Sequence, residues 1–201
     1  MNLKEIQKTP ASGYFCIESL DANGKVIDRF EQKNLITNVA RAEFAKLIAG
    51  INESNAINRF VMGTKGHQGS DILTPKDATT GFTAAITDIF SGQESADINK
   101  TWNQVIFTPS GNMVNTAATN VQDGANNNST VDITVTGVEQ AEPIVTYTIN
   151  IAQDAFNCSN DGVVYTEAGL YSGDKLIAMR TFKGKVKEST VAFRIQWSVM
   201  F

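Results

Sequence analysis

The final eleven residues alternate. Val191, Phe193, Ile195, Trp197, Val199 and Phe201 fall on one side of an extended chain, and Arg194, Gln196 and Ser198 on the other. Successive side chains of a strand point to opposite faces, so this pattern predicts a strand with one face buried and one wet, ending with Phe201 packed inside its own sheet. A strand of this kind needs partners, and the rest of the sequence offers them. Val131, Ile133 and Val135 alternate with Asp132, Thr134 and Thr136, and Val145, Tyr147, Ile149 and Ile151 alternate with Thr146, Thr148 and Asn150. Gly13 to Ser19 and Lys25 to Glu31 flank Asp21-Ala22-Asn23-Gly24. Asn-Gly accepts the positive φ that tight turns require, which predicts a first hairpin there. Ile57 to Gly63 and Trp102 to Phe107 read as further strands, the former with Ile57, Phe60 and Met62 inward.

One segment carries a helical period. Ala40, Phe44, Leu47, Ile48 and Ile51 recur at the spacing of a single helix face, with Thr37 or Asn38 as N-cap and Gly50 just past the C-terminus. These five are expected to face the core. A second, short helix is expected near Ala84 to Phe90. The 20 Thr and 18 Asn among 201 residues suit half-buried strands and turns. The fold expected is therefore mainly β: an antiparallel sandwich or bent sheet with one N-terminal helix, about residues 38–49, packed on it. All 201 residues are expected to form one domain, with long loop regions at about 64–100 and 112–130.

Composition excludes several classes of function. The net charge of −4 argues against a nucleic-acid binder held by a global basic field. No apolar run reaches the roughly 18 residues of a membrane span, and charges in Met1 to Pro10 stand where a signal peptide is apolar. Synthesis in a cytoplasm is expected, with Cys16 and Cys158 as free thiols. His67, the single histidine, lies between glycines without a nucleophile or orienting carboxylate nearby in sequence, and reads as a surface-loop residue. The Gly63 to Gly69 stretch lacks both phosphate-binding glycine patterns and reads as a turn that ends a strand. Asp123 to Asn128 lacks the sixth-position glycine and terminal glutamate of a calcium loop. No enzyme, cofactor, metal site or small-molecule substrate is expected.

Two features invite a role. Glu167 interrupts one apolar segment and Arg180 another. A buried charge needs a partner, so the two are expected to pair across neighbouring strands as a structural ion pair. Lys175, Arg180, Lys183, Lys185, Lys187 and Arg194 place six of the 17 basic residues within twenty positions. As a group they form a candidate contact for an acidic neighbour, against the plainer reading of a solvated edge whose lysines prevent strand pairing.

Several segments, taken in order, resemble a known family. They are Asn34-Leu-Ile-Thr-Asn-Val-Ala-Arg41 with Phe44-Ala-Lys-Leu47, Ile57-Asn-Arg-Phe-Val-Met-Gly-Thr64, Glu167-Ala-Gly-Leu-Tyr171, Leu176-Ile-Ala-Met-Arg-Thr-Phe182, Lys187 and the closing Phe193 to Phe201. This layout resembles small structural proteins of tailed bacteriophages, whose strand before the turn ends in Gly-Thr-Gly; here Lys65 replaces the last glycine. The resemblance covers roughly the first third and last fifth of the chain. It implies a virion structural protein that assembles in multiple copies in the tail, neck, collar or baseplate and has fibre anchoring as one role. Its partners would be other virion proteins and copies of itself, with no membrane and no specific nucleic acid. The alternatives are a capsid decoration protein or a receptor- or glycan-binding module of the tail.

Overall fold

A computed structural model describes residues 12–51, 56–77, 88–91, 102–107, 116–117, 120–122, 131–136, 144–157 and 163–200. The alternating strands form as their patterns demand. β1 (Ser12–Leu20) and β2 (Val26–Lys33) make the first hairpin. Its turn is held by the Asp21 carboxylate, which accepts the N–H groups of Asn23 and Lys25 at 2.9 Å, while Gly24 takes φ 77°. A two-residue β3 (Leu35–Ile36) leads into α1 (Asn38–Ile48).

The remaining strands are β4 (Arg59–Gly63), β5 (His67–Gln68), β6 (Asp71–Pro75), β7 (Trp102–Ile106), β8 (Thr116–Ala117), β9 (Asn120–Gln122), β10 (Val131–Thr136), β11 (Ile144–Ile151), β12 (Val163–Ser172), β13 (Lys175–Lys187) and β14 (Ala192–Met200). Sheet A runs β2-β1-β14-β11-β10-β8, sheet B runs β3-β13-β12-β4-β7-β9, and all pairings are antiparallel. The sheets share one core, so the fold is a β-sandwich with a single helix among the described residues. Val191, Phe193, Ile195, Trp197 and Val199 all face that core. Trp197 meets Phe15 edge-on at 4.8 Å, and Phe15 stacks on Phe182 of sheet B at 5.5 Å. Phe201 lies outside the described residues.

Sheet B is covered on both faces, which is why β12 and β13 do not alternate in sequence. Phe60 and Met62 of β4 point to the main core, whereas Val61 joins Ile89, Tyr171, Leu176 and Met179 in a second cluster on the outer face. The expected loop at 64–100 contains the β5–β6 hairpin, tied to β13 by the Thr181 hydroxyl, which donates to the Lys76 carbonyl at 2.6 Å. Of the expected short helix, residues 84–87 lie outside the described residues, and Phe90 and Ser91 are helical. In the expected 112–130 loop, β8 and β9 are strands, and its Asp123 to Asn128 stretch lies outside the described residues.

The helix starts and stops where expected, but its apolar face needs correction. Thr37 caps it, accepting the Ala40 N–H at 3.1 Å and donating to the Leu176 carbonyl at 2.6 Å, and Gly50 follows with φ 68°. Ala40 is buried and Phe44 packs on the core, yet Leu47, Ile48 and Ile51 are 50%, 90% and 46% exposed. The reason is anchorage: Thr37 and Glu43 fix the first turns to the start of β13, and the last turn extends beyond the sandwich. Trp197→Ala should lower stability by about 3–5 kcal/mol, while Gln196→Ala, on the exposed face of the same strand, should stay within about 0.5 kcal/mol in chemical denaturation.

Candidate functional site

Glu167 occupies the middle of sheet B, opposite Gly63 on one neighbouring strand and Thr181 on the other. It is fully buried. Its carboxylate accepts four hydrogen bonds: from the Phe90 N–H at 2.8 Å, the Ser91 N–H at 2.8 Å, the Ser91 hydroxyl at 2.5 Å and, longer, the Lys65 N–H at 3.4 Å. The Ser91 oxygen in turn accepts the N–H groups of Thr64 and Lys65 at 2.9 and 3.1 Å. Burial pushes the Glu167 pKa up, and the hydrogen bonds oppose that only in part.

Two glycines make this approach possible. A Cβ on Gly63 would stand 2.4 Å from the Ser91 hydroxyl and 2.5 Å from a Glu167 oxygen, and one on Gly66 would stand 2.5 Å from the Thr166 carbonyl. Lys65, the departure from Gly-Thr-Gly, contributes only its backbone N–H to these contacts. The sequence therefore locates the buried acid but not its partners. Ser91 is 76 positions away, and no spacing rule links it to Glu167.

The expected Glu167–Arg180 pair does not form. Arg180 stands opposite Ala168, one residue out of step with Glu167, so the two side chains leave opposite faces of sheet B. Arg180 crosses between the sheets instead. It donates to the Lys33 carbonyl at 3.0 Å and to the Gln32 side chain, with its guanidinium 5.8 Å from the Phe30 ring.

The basic cluster is also dispersed. Lys175 reaches Glu43 at 2.7 Å, holding the Glu43 carboxyl below the usual range, and Arg194 reaches Glu18 at 2.7 Å through Nε. Lys185 and Lys187 are buried rather than exposed. The register slip between Tyr165 and Glu167 sets Lys185 opposite the core residue Tyr165, which turns both lysines inward. Lys185 pairs with Asp28 of sheet A. Lys187 donates to the Gln153 carbonyl at 2.9 Å, the Asn157 side chain at 2.7 Å and the Glu188 carbonyl at 3.3 Å. That loop carries Phe156, whose φ of 63° is the positive value of a left-handed residue. Lys183 is exposed, beside an open cleft that Lys33, Lys76, Asp77 and Arg180 also line. The expected contact group is therefore split between internal ties and a cleft at the junction of β2 and β13.

His67 lies in β5 and is half-buried. Cys16 is a buried free thiol whose pKa burial pushes up, and Cys158 lies outside the described residues. At the end of the sandwich, a groove of about 420 Å³ opens beneath the overhanging helix. Phe44, Leu47, Ile48, Ile57, Tyr147 and Val199 line it, with Glu43 and Ser172 as its polar members. Burial raises the Tyr147 phenol to about 12, so it stays neutral. Such a lining suits contact with apolar surface rather than acid–base or nucleophilic chemistry.

Set against protein-family models, curated proteins and solved structures, the chain matches none.

Two substitutions test these contacts. Glu167→Gln puts an NH2 group among N–H donors and should cost about 1–3 kcal/mol. Because the folded-state pKa of Glu167 is raised, its protonation stabilises the native state. That contribution is complete below the unfolded value of about 4.3 and is lost as pH rises through the folded one. The stability gap between wild type and the variant should therefore narrow as denaturation is measured at increasing pH above about 4.3. Lys187→Met leaves three acceptors without their donor and should cost about 1–3 kcal/mol by the same assay, where an exposed contact lysine would show almost no effect.

Proposed function

We propose that this protein is a structural subunit of a tailed-bacteriophage virion, present in several copies in the tail, neck, collar or baseplate region. One observation carries the reading. Four of the segments that resemble such proteins build one contiguous block of sheet B. Leu35–Ile36, Leu176 to Phe182, Glu167 to Tyr171 and Arg59 to Gly63 lie side by side in sheet B as β3, β13, β12 and β4, and α1 follows directly on β3. The glutamate of Glu-Ala-Gly-Leu-Tyr is the residue that holds the turn after β4. Segments far apart in sequence thus form one physical unit, as parts of a shared scaffold would.

The reading also suits the surface. The apolar groove beside α1, lined by Phe44, Leu47, Ile48 and Val199, suits contact with a neighbouring protein surface. Its partners are then other virion proteins and copies of itself, and its final location is the particle. Quantitative mass spectrometry of purified particles tests this. The polypeptide should be present at a fixed copy number that follows the tail fraction when tails and heads are separated. Recovery with heads would transfer it to capsid decoration, and absence from purified particles would overturn the proposal.

A further inference from the structure

We propose that two copies of this chain join edge to edge through β2, in a single register centred on Phe30, to make one continuous sheet. The proposal rests on the reading that the protein works in several copies, and it names the surface through which two of them meet.

β2 is the outermost strand of sheet A, and among the described residues seven of its eight positions pair with β1, on one side only, with Ile27 at a register shift. Seven of the eight are exposed and Phe30 is half-buried. From Asp28 to Gln32 the strand is regular and its open side is a template for another strand, while Ile27 falls at a register shift and the Lys33 carbonyl accepts from Arg180. Proline, the residue that blocks such an edge most directly, is absent from Val-Ile-Asp-Arg-Phe-Glu-Gln-Lys.

Charge selects the register. Asp28, Phe30 and Gln32 turn toward sheet B, where they meet Lys185, Phe182 and Arg180. Arg29, Glu31 and Lys33 therefore point to the outer face, where Arg29 reaches Glu18 at 3.2 Å and Glu31 at 2.7 Å. When two copies of one strand pair antiparallel about a two-fold axis normal to the sheet, opposed residues must share a face, so the axis passes through a residue. An axis through Arg29 sets Arg29 against Arg29. An axis through Glu31 sets Glu31 against Glu31 and Arg29 against Lys33. An axis through Phe30 instead sets Arg29 against the second copy's Glu31 twice over, Asp28 against Gln32, and Phe30 against Phe30. It also covers the regular stretch from Asp28 to Gln32, whereas axes nearer the strand ends leave much of the edge unpaired.

Directly opposed unlike charges and aromatic pairs stabilise a sheet, and like charges oppose its formation. In this register the row Arg194, Glu18, Arg29, already aligned across β14, β1 and β2, gains the second copy's Glu31 and alternates in sign over four strands.

The test uses the full-length chain in sedimentation velocity, with R29E, E31R and their equimolar mixture. Circular dichroism and thermal melts check that each variant folds. E31R also serves as the control for R29E, which disturbs the Glu18 contact within the chain. Wild type should form a dimer. Each single variant opposes like charges at two places and should dissociate with a constant about tenfold or more higher. In the mixture every acid again opposes a base, so heterodimers should form. A monomeric wild type, variants that associate like wild type, or a mixture that stays monomeric would each overturn the edge pairing. Unchanged larger oligomers in all variants would remove the edge while leaving multi-copy assembly standing. A β2 dimer that behaves as expected, from a chain absent from purified particles, would do the reverse.

Discussion

The carboxylate of Glu167 is the contact on which the outer face of sheet B depends. It is buried at the centre of the sheet and carries the desolvation cost of a polar group in an apolar layer, which is tolerable only because donors surround it. Those donors come from two segments distant in sequence, Lys65 after β4 and Phe90–Ser91, so satisfying one side chain pins both to the sheet. With Phe90–Ser91 in place, Ile89 covers Val61, Tyr171, Leu176 and Met179. Remove the acceptor and the second apolar cluster loses the anchor of its cover. The glycines at 63 and 66 belong to the same constraint, because any side chain there would occupy the space that the carboxylate and the backbone need.

The cations of β13 and β14 play a related part. Arg180 and Lys185 reach from sheet B to β2 of sheet A, and Arg194 joins β14 to β1 through Glu18. A hydrophobic core fixes the distance between two sheets but leaves their sliding weakly determined. Directional ties to particular residues fix the register of one sheet over the other. The exposed pairs add little to stability individually, so their contribution is geometric.

With the cations turned to internal use, what the molecule offers outward is shape and edge. The overhanging end of α1 leaves an apolar groove, the cleft by Lys183 keeps part of the basic character, and β2 leaves one side of sheet A open. Under the proposed function these would be the surfaces that meet other proteins of the particle. The same strand that anchors Lys185 and Arg180 on its inner face carries the alternating charges on its outer face. Pairing at this edge would therefore rest on a strand already held by the second sheet.

The class of fold was legible because it follows from local periodicity. The alternation of residues 191–199, 131–136 and 145–151, the Asn-Gly turn, and the capped helix after Thr37 each need only the chain's own geometry to be read. Glu167 was recognisable as a buried acid for the same reason, since an acid within an apolar run must be either paired or hydrogen-bonded. Its partner was not recognisable. Whether Glu167 meets Arg180 depends on strand register, and a shift of one residue sends a side chain to the other face. The fate of Lys185 and Lys187 turned on the register slip beside Tyr165, and the exposure of Leu47 and Ile48 on where the anchored helix outruns the sandwich. The sequence by itself determined the alternating strands and which face of each is apolar, because those are properties of neighbours along the chain. Only the tertiary structure decided which charges meet and which apolar side chains remain outside, because those depend on register between segments that no local pattern links.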